Sequence, residues 1–196
     1  MAPLHPPQPD PSQPGPSKVA PSLSQRLGDK VPDFRLPNLA GTPVRLQDKL
    51  GEARGVVIVF WSGLCSHCQR YDSWLGGFPT RYPLLGLLVV ASRQNEDATS
   101  IARIADQRDL SFPILIDGDR SVARSFYVQQ TPRSFLVDGQ GKLLYRGAID
   151  NFKYPRDPDY EPLLEAAIED FFAGKPIRRP ETPSFGCPIE STYYQA

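Results

Sequence analysis

Gly55-Val56-Val57-Ile58-Val59-Phe60-Trp61-Ser62-Gly63-Leu64-Cys65-Ser66-His67-Cys68 is the stretch that decides the fold. Its first seven residues form a near-continuous apolar run rich in β-branched side chains, the pattern of a strand covered on both faces. Two cysteines separated by two residues follow, just ahead of a helix-like stretch. At a strand-to-helix junction such a pair can close a small disulfide loop. The first thiol then lies at a helix N-terminus, where backbone N–H groups and the helix dipole favour a thiolate. That is the chemistry of thiol–disulfide exchange. The spacing alone equally describes half a zinc site, so the surrounding element pattern has to carry the distinction.

The chain has 196 residues, with 22 basic and 22 acidic side chains. Length fits one domain of ordinary size plus a tail. Balanced charge gives no sign of nucleic acid or an anionic membrane surface as a partner. Of three cysteines, two form the close pair and Cys187 stands apart near the C-terminus; one close pair is a redox or metal site rather than a disulfide scaffold. The apolar runs fall well short of the roughly 20 residues that span a bilayer.

Outward from the pair, elements alternate. Phe34-Arg35-Leu36 and Pro43-Val44-Arg45-Leu46 flank a turn at Asn38–Gly41 and predict a hairpin. A helix is expected from Cys65 to about Gly76, a strand over Leu84–Ser92, a helix over Asn95–Leu110, a strand over Phe112–Asp117 and a short helix over Ser121–Tyr127. Arg133–Asp138 and Lys142–Gly147 form a second hairpin around Gly139-Gln140-Gly141. Tyr160–Phe172 closes the series as a helix, with Pro162 in its first turn and Gly174 past its end. The order predicts an α/β fold in which a central mixed β-sheet, flanked by helices, carries an N-terminal β-hairpin extension.

Three regions follow: residues 1–27, a Pro-rich disordered arm or linker; 28–174, the domain; and 175–196, a Pro-rich C-terminal tail carrying Cys187. Residues 1–28 have neither the basic start nor the apolar core of a signal peptide.

This order, with Trp61-Ser62-Gly63-Leu64-Cys65-Ser66-His67-Cys68, resembles the thioredoxin-like fold, and more closely the TlpA/ResA-type redoxins, which are bacterial extracytoplasmic thiol–disulfide oxidoreductases. Gly28-Asp29-Lys30-Val31-Pro32-Asp33-Phe34 is similar to the redoxin entry motif, and Phe112–Asp117 to a later strand. Gln130-Thr131-Pro132-Arg133-Ser134-Phe135-Leu136-Val137-Asp138 is similar to the family's Thr-Pro strand. The resemblance covers residues 28–172 and implies a cis bond before Pro132, beside the cysteines. Thr131 would then offer its backbone edge to a partner's extended chain. An ordinary strand-edge proline is the alternative.

Cys65 is expected to be the nucleophile and the more exposed thiol, and Cys68 to resolve the mixed disulfide. His67, if protonated near Cys65, would stabilise its thiolate; otherwise it faces solvent. Trp61 is expected either as a partner-facing surface or as core. Val59 stands where cytosolic thioredoxins carry a buried Asp. Glu96 is the candidate proton acceptor in its place, against a solvated Glu at a helix start. For Cys187 three readings stand open: a spare thiol, a third redox cysteine, or a bridge between chains.

These readings add up to a thiol–disulfide oxidoreductase that exchanges disulfides with protein dithiol or disulfide partners and an unidentified thiol electron donor or acceptor. No cofactor or metal is expected. A thiol peroxidase is one alternative, although Ile58 stands where the peroxiredoxin pattern has Pro. A copper-binding redox module is the other, since soft thiolates suit Cu(I). The expected location is extracytoplasmic, periplasmic or secreted, with membrane contact only through an anchor upstream of this sequence.

Overall fold

The structure, a computed structural model, describes residues 26–190. The expected disordered arm lies almost entirely outside the described residues, as do the last six residues of the tail. Strands β1 (Arg35–Pro37) and β2 (Pro43–Arg45) pair antiparallel as the expected hairpin, with Leu36 opposite Val44. Asn38 turns the chain by accepting, through Oδ1, the N–H groups of Ala40 and Thr42. There follow α1 (Leu46–Glu52), β3 (Gly55–Trp61), α2 (Ser66–Gln69), α3 (Asp72–Gly76), α4 (Phe78–Arg81) and β4 (Leu85–Ala91). The remainder is α5 (Ala98–Gln107), β5 (Ile114–Ile116), α6 (Ser121–Ser125), β6 (Gln130–Thr131), β7 (Arg133–Asp138), β8 (Leu143–Gly147), α7 (Leu163–Phe172) and β9 (Cys187–Pro188).

The central sheet has the order β5-β4-β3-β7-β8. β3 and β5 run parallel to β4, whereas β7 runs antiparallel to both β3 and β8, so the sheet is mixed as expected. β3 lies at its centre and every one of its residues is buried. Alternation along the strand divides it between two layers. Val57, Val59 and Trp61 face one core with Leu75, Phe78, Ile101 and the apolar stripe of α7. Val56, Ile58 and Phe60 face the other, with Phe34, Leu46, Leu50, Val122 and Phe126. Both cysteines of the pair sit in the first layer.

Three elements differ from expectation. The helix expected from Cys65 to about Gly76 is broken into α2 and α3, and a further short helix, α4, follows with Pro79 in its first turn, where it needs no N–H partner. Helix α1 was not expected; its two buried residues, Leu46 and Leu50, sit one turn apart. The tail is not a separate appendage: it supplies β9, which pairs antiparallel with β6, and buries Thr182, Ser184 and Ile189.

In the second layer, Phe135 packs against Phe60 and Phe126 with ring centroids 5.7 and 5.3 Å apart. Phe135→Ala should cost about 3–5 kcal/mol, seen as a lower denaturation midpoint at unchanged denaturant slope. A loss below about 1 kcal/mol would mean that this layer is not close-packed as described.

Candidate active site

The site forms where β3 ends. The loop after Trp61 turns sharply into α2, with Cys65 as the residue preceding that helix. Four contacts fix the loop. Cys65 N donates to the Ser62 carbonyl at 3.2 Å. Glu96 Oε1 accepts from Leu64 N at 2.7 Å and from Ser62 Oγ at 3.0 Å. Arg108 Nη2 donates to the Gly63 carbonyl at 2.9 Å. Gly63 itself lies so close to α5 that a Cβ there would meet Ile104 Cδ1 at 2.8 Å, so a larger residue would require Ile104 to move. Arg108 also pairs with Asp72 at 3.1 Å, and Asp72 Oδ1 accepts from Trp61 Nε1 at 3.1 Å. The end of β3, the cysteine loop, α3 and α5 are thus tied into one charged and hydrogen-bonded unit.

In its protonated form the Cys65 thiol donates to the Thr131 carbonyl at 3.3 Å, across 66 positions of sequence. The Thr131–Pro132 peptide bond is cis. The other side of Thr131 is not open: it stands opposite Cys187 in the β6–β9 pairing. Cys187, half-buried, packs against the layer that holds Cys65 and Cys68.

Electrostatics separates the three thiols. The Cys68 thiol, the Cys187 thiol and the backbone N–H groups of both residues hold the Cys65 sulfur as a thiolate, with its pKa lowered to about 4 despite burial. Burial, followed by the neighbouring Cys65 sulfur, pushes the Cys68 thiol far up. Cys187 is also raised, by burial first and then by Cys65. The Glu96 carboxyl is raised by burial, against the hydrogen bonds from Leu64 and Ser62; the Cys65 charge raises it further.

Four expectations need correction or refinement. Cys65 is the less buried thiol of the pair, as expected, but it is not open to solvent: it is 1% exposed and Cys68 0%, with the tail at Cys187 paired against Thr131 beside it. Trp61 is core rather than a partner-facing surface. It is fully buried, stacks edge-to-face on Phe112 at 5.9 Å and lies under the Arg108 guanidinium at 5.5 Å. His67 is exposed, and its imidazole is not among the groups that lower the Cys65 thiol; its backbone N–H acts instead on Cys187, lowering that thiol against the effect of burial. Glu96 is not a solvated helix-start residue. It is 6% exposed, and its Oε2 has no hydrogen-bond partner among the described residues. Sequence reasoning missed Arg108 and the role of Asp72, because nothing in a helical pattern marks the one arginine that reaches back to a loop carbonyl 45 positions away.

The comparisons with known proteins agree with this geometry. The AhpC/TSA family model matches residues 27–146. The chain is 28% identical over 119 residues to the thiol-disulfide oxidoreductase ResA of Bacillus cereus, covering 61% of this chain and 68% of the relative. It is 32% identical over 117 residues to the ResA of Geobacillus thermodenitrificans, covering 60% and 66%. Among solved structures it is similar to the hypothetical protein SMc02350 of Sinorhizobium meliloti, with a TM-score of 0.76, 26% identity and coverage of 87% of this chain and 97% of that one. A putative thiol:disulfide interchange protein DsbE from Chlorobium tepidum superimposes with a TM-score of 0.56 at 28% identity, covering 63% and 85%. The fold is thioredoxin-like.

In the fully reduced protein, ultraviolet titration should show one thiolate forming with a midpoint near 4, while the other two thiols stay protonated through neutral pH. Cys65→Ser should remove that transition. A first midpoint near the ordinary thiol value of about 8.5 would contradict the electrostatic account.

Proposed function

The chain belongs to the AhpC/TSA family, and from that premise we propose that Cys65 and Cys68 exchange disulfides with protein partners in an extracytoplasmic compartment. The single observation that supports this most is the asymmetry of the pair. One sulfur is a ready thiolate and the other a buried thiol, at the junction of a central strand and a helix. A thiolate is the attacking species in exchange, and a resolving thiol is best kept protonated until the mixed disulfide has formed.

The steps balance without a cofactor. The Cys65 thiolate attacks one sulfur of the partner's disulfide; that bond breaks as the Cys65–partner bond forms, and the partner's other sulfur leaves as a thiolate. Cys68 then loses its proton and attacks Cys65, which releases the partner as a dithiol and leaves the enzyme with a Cys65–Cys68 disulfide. The partner has gained two electrons and the enzyme has lost them; a thiol donor of the compartment returns them. Run backwards, the same steps oxidise a partner. Glu96 is suited to take the Cys68 proton: its Oε2 is buried and has no hydrogen-bond partner among the described residues, burial raises its pKa, and the charge on Cys65 raises it further. The edge at Thr131 serves as the docking line for the partner's chain once the tail strand that pairs with it is displaced. Extracytoplasmic location rests on the likeness to ResA and DsbE. Among the described residues no helix is long and apolar enough to cross a membrane.

With a peptide disulfide as substrate, Cys65→Ser should abolish turnover. Cys68→Ser combined with Cys187→Ser should accumulate a mixed disulfide on Cys65, since no other thiol of the chain could then resolve it. Turnover persisting in Cys65→Ser, or peroxide being consumed much faster than the peptide disulfide is exchanged, would replace this reading. Glu96→Gln keeps the acceptor for Leu64 N but loses basicity. It should therefore slow resolution about 10²-fold, the usual contribution of a positioned base, with little loss of thermal stability. Unchanged resolution would remove Glu96 from the proton path.

A further inference from the structure

The tail crosses the site as an extended strand. From Thr182 to Ile189 it is held at several points. Thr182 N donates to the Arg146 carbonyl at 3.1 Å, and Thr182 Oγ1 meets Tyr145 Oη at 2.8 Å. Arg133 Nη1 donates to Ser184 Oγ at 3.0 Å. Cys187 and Pro188 then pair antiparallel with Thr131 and Gln130. Ile189 N donates to the Gln129 carbonyl and its own carbonyl accepts from Gln94 N, both at 2.9 Å. The Ile189 side chain, 3% exposed, anchors the end in the second core layer.

Two details make this more than a packed terminus. The first is register. The tail pairs with Thr131, the residue whose carbonyl accepts from Cys65, and the residue it sets opposite is a cysteine. The second is Gly186. A Cβ there would fall 1.8 Å from the Thr131 carbonyl oxygen, so only glycine lets the strand approach this closely. The tail therefore occupies the line on which a partner's chain would dock, and carries a thiol where the partner's sulfur would be.

We propose that the tail is a resident substrate strand and that Cys187 is a third redox thiol, exchanging with Cys65 to latch the tail over the site as a Cys65–Cys187 disulfide. This rests on the reading of Cys65 and Cys68 given above and adds an intramolecular partner to it. In the oxidised enzyme the Cys187 thiolate attacks Cys65 Sγ. The Cys65–Cys68 bond breaks as the Cys65–Cys187 bond forms, and Cys68 leaves as a thiolate. The proton given up by Cys187 ends on Cys68, whose burial favours the thiol. No electrons enter or leave the chain, so no further oxidant is needed. While the latch is closed, other proteins have no edge to dock on; reopening requires Cys68 to attack Cys65, the reverse step.

The full chain is treated with oxidised glutathione, quenched in acid, alkylated and digested with trypsin. Cys65 and Cys68 share one tryptic peptide and Cys187 lies on another, so a link between the two peptides reports the latch. The expected result in the wild type is both species, the Cys65–Cys68 loop and the cross-linked peptides, in a protein that stays monomeric on a non-reducing gel. Cys68→Ser should convert the population to the Cys65–Cys187 link, still monomeric. Gly186→Ala keeps all three thiols but lifts the strand; it should cut the yield of the link at least tenfold and raise Cys65 alkylation in the reduced protein by a similar factor, with the Cys65–Cys68 disulfide still forming. A Cys65–Cys68 disulfide in the wild type with no link to Cys187, in Cys68→Ser as well, would overturn the latch and leave the exchange reading standing. Absence of the Cys65–Cys68 disulfide itself would overturn both. Links to Cys187 that appear only between chains would also overturn it.

Discussion

The arrangement depends on how a charged sulfur is kept inside a protein. An ion taken out of water is costly unless donors replace the water, and Cys65 is 1% exposed. What surrounds it is a cage of weak donors, half of them local and half from the distant tail: the Cys68 thiol, the Cys187 thiol and the N–H groups of both residues. None would be placed without the sheet. β3 carries the loop, Thr131 and Pro132 just ahead of β7 lie beside it, and the tail returns from α7 to close the third side. The stability of the thiolate is in this sense a property of the whole topology.

The same requirement explains the polar unit beneath the loop. Glu96, Arg108 and Asp72 each spend a hydrogen bond on backbone or side-chain groups within a few residues of Cys65. Arg108 and Asp72 offset one another's charge, while Glu96 has one oxygen satisfied and one without a hydrogen-bond partner among the described residues. Burial raises the carboxyl of Asp72 as well, against Trp61 and Arg108. A carboxyl that is buried, half-satisfied and close to a redox centre is poised to change protonation as the sulfurs change charge.

Much of this was legible in the sequence. The seven-residue apolar run of β3 could be read because a strand buried on both faces leaves a continuous signal, and the cysteine pair because its spacing and place are local. The Thr131-Pro132 pair and the strand behind it were legible through the resemblance, not through any periodicity. What sequence reasoning could not reach were relations between distant segments. Cys65 looked exposed because a helix start usually is; its cover comes from a tail more than a hundred residues away. β9 has only two residues in a Pro-rich stretch, too short for any alternation, and its register comes from Gly186 fitting under Thr131. Trp61 ends a buried strand, and which of its two faces meets a partner is decided by whether α3 and α5 close over it. Glu96 looked like a helix start, which it nearly is; burial turned it inward.

On this reading Cys65 and Cys68 form one redox couple whose reduced form the cage stabilises. A glutathione redox titration of the full chain, read by thiol mass-labelling, tests it most directly. The account predicts one two-electron transition that disappears in Cys65→Ser, with a potential more oxidising than that of thioredoxin, about −270 mV, because a stabilised thiolate favours the reduced state. A transition that survives Cys65→Ser, or a potential at or below about −270 mV, would contradict it.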